Sequence, residues 1–292
     1  MLGPDGAPQA VIWSLGPKSV TARRELLVGY PGREPPRAVG MISVNGNRGL
    51  AIEGGGGPNA WIRANSGPWR PLALTPGTEL HAITTDGTAA WALGSVKSRP
   101  VFLRIDVRGH VVTRAAAGLT PAAAASGSLL VLPGGRLLVS GGSPGLSATS
   151  DDNGATWRGS NALAAQEESL VAPMPGGGIC ALSSSPTRTP QERAYTSGDG
   201  IAWTPIGGVG TRPLLNVDTL TGNSGAIIAS GRDGHDNVRV WSSRDCRTWL
   251  SIGPASAANP LPPIAVATSA AYAAVASRPG NIAQVLIAAL HS

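Results

Sequence analysis

Ser150-Asp151-Asp152-Asn153-Gly154-Ala155-Thr156-Trp157 has the residue order of a tight β-hairpin. The serine leads out of one strand, and an aspartate two positions on folds its carboxylate back onto the N–H groups of the turn. Gly154 permits the positive φ that such a tip needs. Thr156 and Trp157 open the returning strand, where the indole is large enough to anchor the hairpin on the sheet beneath it. Two shorter copies follow. Ser197-Gly198-Asp199-Gly200-Ile201-Ala202-Trp203 drops one residue, and Ser243-Arg244-Asp245-Cys246-Arg247-Thr248-Trp249 keeps the short form with cysteine in the glycine's place. Trp157, Trp203 and Trp249 stand 46 residues apart at each step (203 − 157 and 249 − 203).

The repeat extends outward from these three hairpins. Each unit reads as an apolar strand, a turn, a second strand ending in glycine or serine, a loop, a third strand, a hairpin and a fourth strand. Asn65-Ser66-Gly67-Pro68-Trp69 is a relic of the same hairpin without its aspartate. First turns fall near residues 45, 86, 133, 175 and 222, and a four-strand unit at that period is the signature of a propeller. No segment carries a 3.6-residue apolar period long enough for a helix, which excludes βαβ folds and bundles. A sandwich does not repeat a tryptophan at one fixed place in a four-strand unit. The expectation is therefore an all-β chain forming a single domain, with blades at about 38–74, 79–117, 126–159, 168–207, 213–253 and 262–290. The last unit lacks a fourth strand, and residues 20–27 are an unassigned strand near the start. A ring leaves two open edges unless its ends meet. Pairing of 20–27 with 282–290 closes six blades; seven is the alternative.

The hairpin S-x-D-x-G-x-T-W resembles the Asp-box, or BNR repeat, of sialidase-like β-propellers. The resemblance rests on Ser150, Asp152, Gly154, Thr156 and Trp157, and on Asp199, Trp203, Asp245 and Trp249 in the shorter copies. It covers the repeat and not the sialidase catalytic motif. It implies that these hairpins lie on the face away from the binding centre and that their aspartates are turn residues. Sialidases of this superfamily use a tyrosine nucleophile with a glutamate beside it, an aspartate acid/base and three arginines on the substrate carboxylate. This chain has tyrosine only at Tyr30, Tyr195 and Tyr272, and the R-I-P-type signature near the start is missing. Only Tyr30 is placed where it reaches the mouth of the ring. Non-catalytic relatives, among them sortilin-type receptors and photosystem assembly factors, hold proteins or peptides on a rigid disc. The resemblance thus implies a binding or scaffolding module, with a sialidase-type glycoside hydrolase acting on an anionic glycan as the alternative.

In a four-stranded blade the loops between second and third strands lie opposite the Asp-box hairpins. There the sequence places Arg99, Arg188, Arg193, Arg232, His235 and Arg278, on several blades. Guanidinium groups read carboxylate, sulfate or phosphate by two-point contacts, so the expected partner is an acidic glycan or an acidic protein segment. Asp233-Gly234-His235-Asp236-Asn237 offers oxygens at short spacing but fits no EF-hand order and reads as a turn. No zinc spacing occurs, and neither metal nor cofactor is expected.

The chain has 292 residues, with Gly 40, Pro 25 and 14% charged residues, which suits short strands joined by turns. The net charge of +6 is scattered, with lysine only at Lys18 and Lys97, so nucleic-acid binding is not expected. No apolar run reaches the ~18 residues of a membrane span. The start has no leader pattern, yet Asp-box propellers are often exported. An extracellular or cell-envelope site with the leader missing is expected, a cytoplasmic one being the alternative. A monomer is expected. Cys180 and Cys246 are the only cysteines, and sequence leaves open whether they pair.

Overall fold

A computed structural model describes residues 11–15, 22–26, 37–44, 48–54, 60–64, 67–141, 146–160, 163, 168–184, 192–206, 215–222, 225–232, 238–251, 265–268, 272–277 and 284–289. The chain groups into two compact units, Met1–Ala117 and Gly118–Ser292.

The first unit contains two four-stranded antiparallel sheets, each in chain order. One is Arg37–Val44, Arg48–Gly54, Ala60–Ala64 and Arg70–Pro71; the other is Thr78–Thr85, Ala90–Val96, Arg99–Ile105 and Val111–Ala115. They stack through their first strands. Leu80, Ala90, Ala92, Leu103 and Ile105 of one pack with Ala60 of the other and the nearby Leu72 as a buried cluster. Both first strands are bulged, at Val39 and at His81, where an extra residue interrupts the pairing. Burial lowers the His81 pKa, with Glu79 opposing it. Val11–Leu15 and Ala22–Leu26 form a separate antiparallel pair.

Among the described residues the second unit has three four-stranded meanders and one sheet of three strands. The meanders are Gly127–Val131, Leu137–Gly141, Leu146–Ser150 and Arg158–Ser160; then Glu168–Pro173, Ile179–Ser184, Glu192–Ser197 and Thr204–Ile206; then Leu215–Gly222, Ile227–Arg232, Val238–Ser243 and Leu250–Ser251. The sheet of three is Ala265–Thr268, Tyr272–Ser277 and Gln284–Ala289. Successive sheets again meet through their first strands. So close is one such approach that a Cβ on Gly222 would run into the carbonyl oxygen of Pro173. Leu137–Gly141 is buried at every residue, as a strand covered on both faces must be. Leu138, Leu163, Val171, Ile179, Ala181 and Tyr195 form one cluster between sheets; Cys180, Leu182, Ile227, Ala229, Trp241 and Trp249 form the next.

One feature departs from the sequence reading. No segment carries an apolar period long enough for a helix, yet Pro121 starts one of six residues, Pro121–Ser126. Proline is tolerated at the first helical position because its missing N–H has no partner there, and Thr120 caps the end by accepting from Ala123 N–H at 3.1 Å. Ala22–Leu26, within the strand expected at 20–27, pair with Val11–Leu15, and the last sheet has three strands among the described residues. Whether 20–27 also meet 282–290 lies outside what these residues describe. The described residues do not fix the number of blades.

The outer strands are short. Arg70–Pro71 and Leu250–Ser251 have 2 residues each, and Arg158–Ser160 and Thr204–Ile206 have 3. Val111–Ala115, with 5, is the longest outer strand among the described four-stranded sheets.

Candidate functional site

The hairpin at Ser150–Trp157 closes on its own aspartate. Asp152 Oδ1 accepts the Ser150 hydroxyl at 2.8 Å and the Thr156 N–H at 2.9 Å, while Oδ2 accepts the Thr156 hydroxyl at 2.6 Å. Gly154 N–H donates to Ser150 Oγ at 2.9 Å, and the Trp157 indole N–H donates to the Gly154 carbonyl at 3.1 Å. The tip turns through Asn153 at φ 58° and Gly154 at φ 82°, the left-handed region that glycine and asparagine enter most readily.

The shorter copies reach the same result with one residue less. Asp199 Oδ1 accepts from Ile201 and Ala202 N–H at 2.8 and 2.9 Å, and Asp245 Oδ1 from Arg247 and Thr248 N–H at 2.9 and 2.7 Å. The indoles differ in their anchors. Trp249 donates to its own turn, at Cys246 O (3.1 Å), whereas Trp203 donates to Ser147 Oγ of the preceding sheet at 3.3 Å.

These bonds decide what the carboxylates can do. Thr156, through its hydroxyl and then its N–H, holds Asp152 far below the usual carboxylate range, with Ser150 adding to the effect. The Ala202 and Ile201 N–H groups lower Asp199 against a smaller upward push from burial. Burial pushes Asp245 up, but the combined bonds from Thr248, Arg247 and Ser243 outweigh it. Carboxylates that stay ionised and spend their lone pairs on the turn are poorly suited to deliver a proton.

One member of this set has no counterpart among the expected residues. Asp86, at the first turn of the 78–115 sheet, accepts from Thr88 and Ala89 N–H at 2.7 and 2.8 Å, the spacing used by Asp199 and Asp245. Its other oxygen accepts the Trp91 indole N–H at 3.4 Å. Burial raises its pKa, and these bonds together lower it further than burial lifts it. Thr84-Thr85-Asp86-Gly87, with a tryptophan five residues on, was the available signal.

Of the residues expected at the opposite loops, Arg99 is exposed and begins its strand after a two-residue turn. That turn is Lys97-Ser98, both at positive φ (50° and 62°). Arg193 is exposed and is the second residue of Glu192–Ser197, paired with Ser183. Arg232 ends Ile227–Arg232 and pairs with Val238. In the second unit, Arg193 and Arg232 thus stand at the same end of neighbouring sheets, where second strands pass to third strands. Arg188, His235 and Arg278 lie outside the described residues, as do Tyr30 and the rest of Asp233–Asn237. Tyr195 is 8% exposed and belongs to the core between two sheets. At the opposite strand ends, Met174, Gly177, Gly178, Thr196–Asp199, Ala202 and Thr204 line an open hollow beside an aspartate hairpin.

No protein-family model matches the chain, and no curated protein matches it by sequence. Solved structures do. The structure described as YCF48 bound to D1 peptide is 14% identical, with 97% of this chain covering 86% of that one at a TM-score of 0.57. A nidogen/laminin complex matches at 13% identity and a TM-score of 0.57, over 84% of this chain and 89% of that one. A Trypanosoma rangeli sialidase mutant displaying trans-sialidase activity matches 99% of this chain but 59% of its own, at 11% identity and a TM-score of 0.57. These are β-propeller proteins, binders and an enzyme alike, and at such identities the likeness carries the fold alone. The repeated four-stranded antiparallel sheets, matched over nearly the whole chain, are those of an all-β protein with the β-propeller fold.

Proposed function

We propose that the chain is a non-catalytic Asp-box β-propeller that binds or scaffolds an acidic ligand, a protein partner or an acidic glycan, on the face where second strands pass to third strands. The observation that carries this reading is the placement of Arg193 and Arg232 at one end of two neighbouring sheets. Arg99 holds the corresponding place in its own sheet. Guanidinium forks at strand ends suit carboxylate, sulfate or phosphate. The burial of Tyr195 supports the non-catalytic half, since it removes one of three tyrosines from use as a nucleophile. The aspartate hairpins support it as well, their carboxylates being occupied by turns. Two of the matched structures are complexes by their descriptions, one with a peptide and one with laminin. The alternative, a sialidase-type glycoside hydrolase, draws on the match to the Trypanosoma rangeli enzyme and would use Tyr30. A monomeric six-bladed ring closed by residues 20–27 on 282–290, working outside the cytoplasm, belongs to the same proposal.

The test is the double variant Arg193→Ala/Arg232→Ala, assayed against a polyglutamate peptide and a sialylated glycan at low and high salt. The parent is expected to bind weakly and to lose binding as salt rises, since exposed charges act over about 8–10 Å at physiological ionic strength. The variant is expected to bind several-fold more weakly with unchanged melting. Equal binding by parent and variant refutes the role of the arginines. Turnover of a fluorogenic sialoside by the parent refutes the non-catalytic reading.

A further inference from the structure

The two shorter aspartate hairpins of the second unit each insert one residue against the preceding sheet. In Ser197–Trp203 that residue is Gly200, at φ 76°, and a Cβ there would lie 3.1 Å from Leu138 Cδ1 and 3.3 Å from Thr149 Cγ2. In Ser243–Trp249 the same position is Cys246, at φ 63°, bonded as a disulfide to Cys180. Leu138 and Cys180 occupy equivalent places: each is the second residue of its sheet's second strand. Each also pairs with the threonine just ahead of the hairpin serine, Thr149 and Thr196. One inter-sheet contact thus sets a large side chain against a bare glycine, and the next sets two cysteines against each other. A side chain at positive φ is disfavoured. Cysteine is placed there because its sulfur reaches the neighbouring sheet, with a Cα–Cα distance of 5.6 Å across the bond. Both cysteines are 0% exposed, so the bond is shielded from soluble reductants once the sheets have met.

We infer that Cys180–Cys246 is a covalent clasp between successive sheets, standing in for the Leu138–Gly200 interlock, and that the chain matures in a thiol-oxidising compartment. This goes beyond the ligand-binding reading and does not rest on it. Forming the bond removes two protons and two electrons. A protein disulfide of that compartment takes up the electrons. One cysteine thiolate attacks it to give a mixed disulfide, and the second displaces the reduced carrier thiol. Disulfides of this buried, structural kind persist where glutathione and thioredoxin do not keep thiols reduced.

The test uses the full chain. Alkylation under denaturing conditions is expected to add no group before reduction and two after it, since the chain has only two cysteines. Reduction in denaturant, followed by refolding with reductant present, is expected to lower the melting temperature by on the order of 10 °C, because 66 residues of separation are released in the unfolded chain. Cys180→Ser/Cys246→Ser should melt like the reduced parent. Cys180→Leu/Cys246→Gly, which rebuilds the interlock of the neighbouring contact, should melt above the serine pair and below the oxidised parent, and ignore reductant. An unchanged melt in a sample whose two thiols are shown by alkylation to be free overturns the clasp. A leucine–glycine variant no better than the serine pair overturns its equivalence to the interlock. Acid-trapped source cells that yield the chain with both thiols free overturn the compartment.

Discussion

Replacing Trp157 by alanine should separate a structural hairpin from a functional one. The side chain is 6% exposed, so nearly all of its area is removed from water. Truncating a buried tryptophan costs about 3 kcal/mol or more through lost transfer energy and the void left behind. The indole N–H also satisfies the carbonyl of the buried Gly154, and leaving that acceptor without a donor adds about 1 kcal/mol. The expected total is about 4 kcal/mol. Trp203 provides the internal control. It is half-buried and its indole N–H reaches Ser147 at 3.3 Å, so Trp203→Ala should cost roughly half as much. Trp249, 7% exposed and bonded to its own turn, should behave like Trp157. Urea unfolding followed by circular dichroism measures all three, with linear extrapolation to water. Phenylalanine at 157 keeps most of the ring and should recover more than half of the loss. A cost below about 1 kcal/mol for Trp157→Ala, or a larger cost at Trp203 than at Trp157, would refute the anchoring argument. Loss of acidic-ligand binding in Trp157→Ala without any change in unfolding would refute it from the other side.

Acid should weaken the fold through its turns. Asp86, Asp152, Asp199 and Asp245 all have pKa values lowered by folding. A lowered folded-state value means stability present above the unfolded pKa of about 4 and lost as pH falls through the folded one. Melting temperature should hold steady above about pH 5 and drop below about pH 4. Asp199→Asn/Asp245→Asn should flatten that drop, and an unaltered acid limb would assign it to other groups. Gly222→Ala should destabilise by about 1–3 kcal/mol in urea, because the new methyl meets the fixed backbone of Pro173. Wild-type stability there would show that the first strands of those two sheets separate more easily than their packing suggests.

The aspartate hairpins were legible because serine, aspartate and tryptophan each do a local job at a fixed offset, and local jobs leave local spacing. Asp86 does the same job but sits at a first turn and lacks the leading serine two residues before it, although Trp91 stands five residues on, as Trp157 does from Asp152. A search that requires the serine passes over it. The helix at Pro121–Ser126 is shorter than two turns and cannot show an apolar period; only Thr120-Pro121 marks its start. The cysteine pairing depends on which strands stack, which single-chain spacing does not encode. Aligning Cys246 with Gly200 and Cys180 with Leu138 across the repeat recovers it. Arg99, Arg193 and Arg232, expected in loops between second and third strands, stand at the strand ends beside those loops. Nothing local to an arginine says whether its neighbours converge, because convergence belongs to the ring and not to the hairpin.

The brevity of the outer strands bears on how the molecule behaves when crowded. A free sheet edge is a template on which another chain can zip, amide by amide. Two- and three-residue edges offer too few amides in a row to seed such growth. Pro71 and Pro205 remove a donor from two of them. Even Leu250, 65% exposed, lies on an edge too short to build on. Among the described four-stranded sheets Val111–Ala115 is the long exception, and Arg114 on it is a charge that a second copy in register would have to bury against its own kind. Concentrated solutions should therefore resist fibril formation, and any solubility screen that neutralises Arg114 should be the first to fail.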